Sequence, residues 1–328
     1  MSKTIFITGA NGFLGSRIAI IAKKRKYNVI ALVRESSNLE NLKKLDIELC
    51  VGDLRDKESL RPGIKKAEII FHVAADYRLW AKKKSDIYDA NVYGTENVLK
   101  VCSEIGNKKI IYTSSVATLG LNHGSVSNEE TPVHFKNMIG DYKKSKFIAE
   151  QIFQEYVKSK KISGIILNPS TPIGPGDFKP TPTGKIILQM LNRKMPAYVD
   201  TGLNFVHVDD VALGHFLALE KGKIGQRYIL GGENLMFKDF LDLISDYASI
   251  PKIVYKLSPK YLYPFAYMNE FFASILNNYD PMLTVDGLSM SKQKMFFSSE
   301  KAKKQLGYRP RDIKSAIKDA VDWIKMKF

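Results

Sequence analysis

Residues 4–15 read Thr-Ile-Phe-Ile-Thr-Gly-Ala-Asn-Gly-Phe-Leu-Gly, one short apolar strand running straight into glycines at 9, 12 and 15. A helical stretch, Ser16–Lys24, follows at once. Gly9 permits a sharp turn off the strand, Gly12 removes a Cβ where backbone must approach a ligand, and Gly15 lets the helix pack closely on the sheet. The start of the helix then offers free N–H groups and a positive dipole end to an anion. A glycine triplet alone is a weak signal, and a purely structural strand–turn–helix is the bland alternative. The strand before it and the helix after it are the context that the dinucleotide-pyrophosphate reading requires.

Further strands are expected at Tyr27–Val33, Ile47–Val51, Glu68–Ala74, Lys109–Ser114 and Gly164–Leu167, separated by helices such as Ile87–Glu104 and Tyr142–Lys158. That alternation predicts an α/β fold, a Rossmann-type doubly wound parallel sheet, with ligands beyond the carboxyl ends of its strands. After Leu167 the pattern changes. Prolines at 169, 172, 175, 180 and 182 predict an irregular, ligand-contacting loop over 168–183. A helix over Gly184–Arg193, a strand-then-helix over Asn204–Leu219 and a strand at Arg227–Leu230 follow, and from Glu233 the chain is expected to be largely helical. The expected division is a dinucleotide-binding domain of residues 1–170 plus about 204–232, with a smaller interleaved substrate domain of 171–203 plus 233–328.

The 328 residues are 45% hydrophobic, ample for a large core, and carry a net charge of +16. The lysines fall in short clusters (23–26, 82–84, 158–161, 301–304) at expected helix surfaces. No recognition helix, zinc finger or RNA-binding sheet accompanies them, so nucleic acid is not an expected partner. The positive field favours an anionic substrate. The two cysteines, Cys50 and Cys102, have no metal-ligand spacing, so no metal and no structural disulfide are expected. No run approaches the ~20 apolar residues that span a bilayer, and the N-terminus reads as a core strand rather than a signal peptide. A cytoplasmic protein is the expectation.

Tyr142 and Lys146, spaced i, i+4 at the start of a predicted helix, share one face. A tyrosine near pKa 10 is a poor acid or base at neutral pH, and a neighbouring ammonium favours the phenolate. Ser115, at a predicted strand end, can hydrogen-bond the same substrate oxygen. Tyr-x-x-x-Lys alone is common on amphipathic helices. Together with the glycine loop and the Ser114-Ser115 strand end it points to carbonyl–alcohol interconversion.

Over essentially its whole length the chain resembles an extended short-chain dehydrogenase/reductase. Thr8–Gly15 matches that family's cofactor loop, Gly52-Asp53-Leu54 its adenine-binding turn, and His72-Val73-Ala74-Ala75 the strand end beneath the cofactor. Thr113-Ser114-Ser115 with Tyr142 and Lys146 matches its catalytic set, and Phe205–Val211 a segment typical of the extended branch. Within the branch, the runs Ala74–Trp80, Ser114–Gly120, Asn168–Pro175 and Lys294–Ser299 are similar to hopanoid-associated sugar epimerases. Dihydroflavonol 4-reductases are more distant relatives. The resemblance implies catalytic Ser115, Tyr142 and Lys146. It implies cofactor contacts from Gly9, Asn11, Gly12, Phe13, Leu14, Gly15, Asp53, Leu54, Val73, Ala74, Ala75, Thr113, Ser114 and Pro169, as well as from Tyr142 and Lys146.

After the second strand, where NAD-binding folds usually carry an acidic residue for the ribose 2′-hydroxyl, stands Arg34. A guanidinium pairs well with a 2′-phosphate, and Ser36 and Ser37 add donors, so NADP is expected. Glu35 and adenine stacking by Arg34 keep NAD as the alternative. Tyr77, Arg78, Thr118, Thr171, Lys185 and Tyr198 are the candidate substrate contacts, and the helix from Gly184, with Lys185, is expected to face an anionic group. Asn91 and His207 are expected to be structural, and the aromatic run Tyr261–Phe272 to be core or pocket cover rather than a membrane anchor, because Pro264, Asn269 and Glu270 leave it no clean amphipathic face. The expected function is hydride transfer at a secondary alcohol or ketone of a sugar or nucleotide sugar. The alternatives are an NADPH-dependent ketone reductase and, in another class, a non-catalytic NADP-binding sensor, which would not need Ser115, Tyr142 and Lys146 together. The expected partner is a small-molecule substrate, with a homodimer left open.

Overall fold

A computed structural model of the protein describes residues 2–106, 108–122, 124–276, 279 and 281–328. In chain order its first half runs β1 (Thr4–Thr8), α1 (Phe13–Lys24), β2 (Asn28–Val33), β3 (Glu48–Val51), α2 (Lys57–Lys66), β4 (Ile69–His72), α3 (Ser85–Tyr88), a π-helical turn (Asp89–Tyr93), α4 (Gly94–Ile105), β5 (Lys109–Thr113), α5 (Gly140–Lys158) and β6 (Ser163–Pro169). The second half runs β7 (Thr171–Ile173), α6 (Pro182–Leu191), β8 (Tyr198–Val199), β9 (Gly202–His207), α7 (Val208–Lys221), β10 (Arg227–Leu230), β11 (Glu233–Met236), α8 (Phe237–Ala248), β12 (Lys256–Leu257), α9 (Pro259–Ile275), α10 (Val285–Met290), β13 (Lys294–Met295), α11 (Glu300–Leu306) and α12 (Ile313–Lys327).

Seven strands form one parallel sheet in the order β10-β6-β5-β4-β1-β2-β3. Strand order reverses between β1 and β4, which puts a crevice beside Gly9 at the carboxyl edge. Side chains alternate between two buried layers, as the two-residue strand period requires. Ile5, Ile7, Phe71 and Ile111 join α1 and α7 on one face. Phe6, Ile70, Ile110 and Tyr112 join α2, α4 and α5 on the other. The expected helix over 87–104 is interrupted by the π turn that carries buried Asn91.

A second sheet, β11-β9-β13 with β7 also paired to β9, packs with α6, α8 and α12 around a separate core. Gly202–His207, whose residues from 204 onward were expected with the nucleotide-binding half, pairs only within this sheet, while α7 behind it packs on α1. The proline-rich segment is more regular than an irregular loop. Pro172 lies in β7, which makes its strand contacts through β9 alone. Pro182 opens α6 at a position where the missing N–H costs nothing.

The aromatic run Tyr261–Phe272 is not core. It lies in α9, and most of its large side chains stand exposed, with Leu262 and Tyr263 half-buried, whereas Ala266 and Ala273 are the buried residues of that helix. Among the described residues no helix is long and apolar enough to cross a membrane.

Candidate active site

Thr8 ends β1 and Gly9 turns the chain with φ +71°. A Cβ on Gly9 would lie 2.8 Å from Ala74 Cα, and one on Gly15 would overlap the Gly9 carbonyl oxygen. The Gly12 N–H bonds that same carbonyl at 3.0 Å. Glycine is thus sterically required at 9 and 15. Phe13 and Leu14 open α1, whose N-terminus has neither a side-chain cap nor an acidic residue in its first turn. By contrast, α2, α6, α10 and α12 are each capped by a side chain. The start of α1 therefore keeps its N–H groups available to an anion, and a pyrophosphate fits there.

The Thr8 hydroxyl ties β1 to the end of β4. It accepts from the Val73 and Ala74 N–H groups at 3.1 Å each and lies 2.8 Å from His72 Nδ1. His72 Nε2 lies 2.9 Å from Thr95 Oγ1, which in turn donates to the Asn91 carbonyl. Thr95 spends its proton on that carbonyl, so His72 donates from Nε2 and accepts at Nδ1. Burial pushes the His72 pKa down to about 3, with Lys146 adding to the effect, so the ring is a neutral strut. This relay fixes Val73 and Ala74 in the crevice floor, with Ala75 next along the chain.

Arg34 follows β2 and is exposed, and the Ser37 hydroxyl accepts from its N–H at 2.9 Å. Asp53 is locked in its turn: Arg55 reaches both carboxylate oxygens, at 2.9 and 2.7 Å, and holds its pKa below the usual range. Leu54 packs so tightly that a Cβ on Gly94 would meet its Cβ at 2.9 Å. Asn11 donates to the Asn38 carbonyl at 3.3 Å and its own carbonyl accepts from Asn41.

Beyond β5, Ser115 caps a short 3-10 turn, its Oγ accepting from Ala117 N–H at 3.1 Å. Tyr142 stands on the first turn of α5. Burial raises its pKa, and a hydrogen bond from the Ser115 side chain works in the opposite direction. The expected lowering by Lys146 is not what this geometry gives. The Lys146 ammonium is buried, donates to the Thr113 carbonyl at 2.8 Å, and stands 4.7 Å from the centre of the Tyr112 ring. Burial pulls its own pKa down to about 7, against an opposing pull from Glu150. At the same strand ends, the Ser170 hydroxyl is buried without a partner among the described residues. Pro169 closes β6 beside it.

Sequence reasoning missed the support for this site. Glu150, one turn beyond Lys146 on α5, is buried and accepts from Thr118 Oγ1 at 2.8 Å, Asn168 Nδ2 at 2.9 Å and Arg227 Nη1 at 3.3 Å. Thr118 and Asn168 also donate to the Ser115 carbonyl, at 2.8 and 3.0 Å. The i, i+4, i+8 series Tyr142, Lys146, Glu150 was the available signal. Thr118, expected to touch substrate, is instead sealed into this network. Asn91 is structural as expected, bonding both the N–H and the carbonyl of Asp76, and Ser145. So is His207, which caps α7.

The remaining candidate substrate contacts divide. The Tyr77 hydroxyl reaches the Lys179 carbonyl at 3.3 Å, so the segment after β4 and the proline-rich segment meet across the cleft. Arg78 is ion-paired to Asp76 at 2.6 Å. Thr171 is half-buried on β7, and half-buried Tyr198 on β8 lies under Lys238, 5.9 Å from its ring centre. Lys185 is half-buried on α6, its N–H bonded to the Thr181 carbonyl. The start of α6 does not await a substrate anion. The buried Asp177 carboxylate accepts from Thr181 N–H at 3.0 and 2.9 Å and would overlap a Cβ on Gly184. The protein supplies that anion itself.

The model of the NAD dependent epimerase/dehydratase family matches residues 5–231. The chain is 40% identical, over 99% of its length and 95% of the relative's, to a Synechocystis sp. protein named "Putative dihydroflavonol 4-reductase". It is 27% identical to sterol demethylase protein B of Methylococcus capsulatus, covering 98% of each. The crystal structure of gox2253 superposes with a TM-score of 0.88 at 48% identity, covering 99% of this chain and 98% of that one. A UDP-glucose 4-epimerase from Thermotoga maritima, crystallised with UDP-glucose, superposes at 0.79 and 20% identity over 98% of this chain and 99% of its own, a likeness of fold alone.

Proposed function

The chain belongs to the NAD dependent epimerase/dehydratase family of extended short-chain dehydrogenases/reductases, and for it we propose hydride transfer between NADP(H) and a secondary alcohol or ketone of a sugar or nucleotide sugar. It is an NAD(P)-dependent enzyme of oxidoreductase type. The observation that carries the finer reading is the Ser115 hydroxyl beside the desolvated Tyr142 phenol, with buried Lys146 one turn along α5.

The uncapped start of α1 would hold the pyrophosphate, Arg34 the 2′-phosphate, and Lys146 with the Thr113 strand end the nicotinamide ribose. When bound, the dinucleotide supplies the hydride acceptor or donor. Ser115 donates a hydrogen bond to the reacting substrate oxygen. Tyr142 gives a proton to that oxygen or takes one from it, its phenol oxygen lying within reach of the same point. Lys146, once its ammonium faces the phenol, stabilises the phenolate. Tyr77 and the proline-rich segment close the substrate side.

Net ketone reduction is the second reading. Two observations favour it: Arg34 at the ribose position, and Asp177 filling the helix end that a diphosphate would otherwise use. The test incubates the protein with NADPH and a panel of nucleotide sugars and hydroxyketones. Inversion without net cofactor oxidation supports the epimerase, and stoichiometric NADPH oxidation supports the reductase. Undiminished turnover by Tyr142→Phe would refute both.

A further inference from the structure

Helix α9 is inverted relative to a surface helix that covers a core. Leu262, Ala266, Asn269, Glu270 and Ala273 recur at i, i+4, i+7, i+8 and i+11 and are buried or half-buried. They form the stripe that faces the protein. Glu270, the one acidic residue of the helix, turns inward and accepts from the Val285 N–H at 2.8 Å. Tyr263 bonds Ser289 of α10 at 3.0 Å. The opposite face carries Tyr261, Phe265, Met268, Phe271, Phe272 and Ile275, all exposed, Tyr261 to 74% and Phe271 to 60%. Asn269 and Glu270, which in the sequence seem to interrupt the apolar run, therefore leave the outer face unbroken. Among the described residues, 13 of the 24 large apolar side chains standing exposed fall within residues 254–282. A concentration of that kind marks an interaction surface.

The rim of this face is cationic. Lys260 is exposed at the start of α9, Lys292 stands 4.7 Å from the centre of the Tyr263 ring, and Lys252 and Lys256 flank the preceding segment. Lys252 and Lys256 are ion-paired to Asp246 and Asp200. The whole chain carries +16. Two copies meeting through this face would bring like charges together, whereas an anionic lipid surface would attract both. At 17 residues, α9 is about 25 Å long, too short and too aromatic to span a bilayer but suited to lie along one.

We propose that the outward face of α9 seats this protein on an anionic phospholipid surface, with the aromatic and Met side chains in the headgroup–acyl boundary and the rim lysines on the headgroups. The seated helix lies on the cleft side of the protein. Through α10 it adjoins the cleft: a Cβ on Gly287 would meet Leu79 Cδ1 at 3.9 Å, and Asp286 lies against Gly140, two residues before Tyr142.

The test is co-sedimentation of the full chain with vesicles of phosphatidylcholine alone and of equimolar phosphatidylcholine and phosphatidylglycerol. The wild type is expected to pellet with the mixed vesicles and to be released near 1 M salt, where screening acts within ~3 Å. Met268→Glu with Phe271→Glu should lower the partition coefficient roughly a hundredfold, since each exchange removes a large apolar side chain from the boundary. Phe265→Ser with Phe272→Ser should lower it too, with an unchanged thermal midpoint for either variant showing that the fold is kept. Failure of the wild type to bind the mixed vesicles overturns the proposal without reference to any variant. So does a wild-type dimer that the double Glu variant splits while neither binds vesicles, because the face is then an interface between copies of this chain.

Discussion

Replacing Glu150 by Gln should move the pH dependence of cofactor binding and turnover without touching any group that meets substrate. Glu150 and Lys146 are one turn apart on α5, and burial brings the lysine pKa down to about 7 even against the upward pull of the Glu150 carboxylate. Side chains at that spacing have Cβ atoms ~6 Å apart. Two unit charges at that distance, with an effective dielectric of ~20, interact by about 3 kcal/mol, or about two pH units. Some of this is recovered because the Gln carbonyl still accepts from Thr118 or Asn168, so a downward shift of about one to two units is expected. The sign follows from the charged form. Lys146 is an ammonium below its pKa, and in the proposed mechanism both ribose binding and phenolate stabilisation need that charge. Activity is therefore lost as pH rises through the lysine pKa, and Glu150→Gln moves this descending limb to lower pH. The assay is the pH profile of kcat/KM together with NADPH affinity from fluorescence titration. A merely structural role would lower the profile uniformly and leave the limb in place. A limb within about 0.3 units of wild type, in a variant that still turns over, would refute the reasoning.

Ser115→Ala and Tyr142→Phe should keep NADPH affinity and the thermal midpoint while lowering kcat roughly 10²–10⁴-fold, read by steady-state kinetics beside a binding titration. Arg34→Ala should weaken NADPH relative to NADH by up to about 1.5–3 kcal/mol, and equal affinity of the wild type for the two cofactors would remove the basis of the NADP assignment. Asp177 gives a stability prediction: burial raises its pKa from 3.8 to about 6, so the folded state holds the proton more tightly than the unfolded chain does. Its contribution to stability therefore falls as pH rises from about 4 through about 6, by up to about 3 kcal/mol, and urea titrations of wild type and Asp177→Asn at both ends of that window should differ by this amount.

The parallel sheet was legible because its strands are buried on both faces and read as short continuous apolar runs. Ile5-Phe6-Ile7 sends alternate side chains into two layers, and no competing helix has that length or composition. The placement of Ser115, Tyr142 and Lys146 at a strand end and on the first turns of one helix was legible because spacing and strand-end position are local properties. The second sheet was not. Its strands are two to six residues long, and β9 collects partners from positions 171, 233 and 294, pairings that no local pattern encodes. Thr118 was misread for the same reason. A threonine just past a strand end is equally suited to a pocket wall and to a buried network, and Glu150 and Asn168, 32 and 50 residues away in sequence, decide between them. For α9 the misreading was one of direction. Asn269 and Glu270 looked like breaks in an apolar face until their inward contacts placed them on the other side of the helix.

The two helix starts, α1 and α6, show where sequence can identify an anion site and where it cannot. Both follow a strand or loop at the carboxyl edge, both carry glycine near their first turn, and both offer the same backbone N–H groups. At α1, Gly15 is required by contact with Gly9 and Ala10, Gly9 by its positive φ and by Ala74 at the end of β4, and Gly12 as N-cap supplies no side-chain acceptor, so most of the empty dipole end is written into the local sequence. At α6, Thr181 caps Gly184 N–H, and Asp177 folds back from four residues upstream to fix Thr181. The carboxylate is buried where an incoming phosphate would otherwise sit. A substrate anion on α6 would have to displace or protonate Asp177, and burial has already raised its pKa from 3.8 to about 6. An uncharged ring, or a phosphate bound elsewhere along the cleft, meets no such obstacle. Asp177, a side chain that neither the glycine pattern nor the family likeness points to, therefore decides whether the start of α6 is open to an anion.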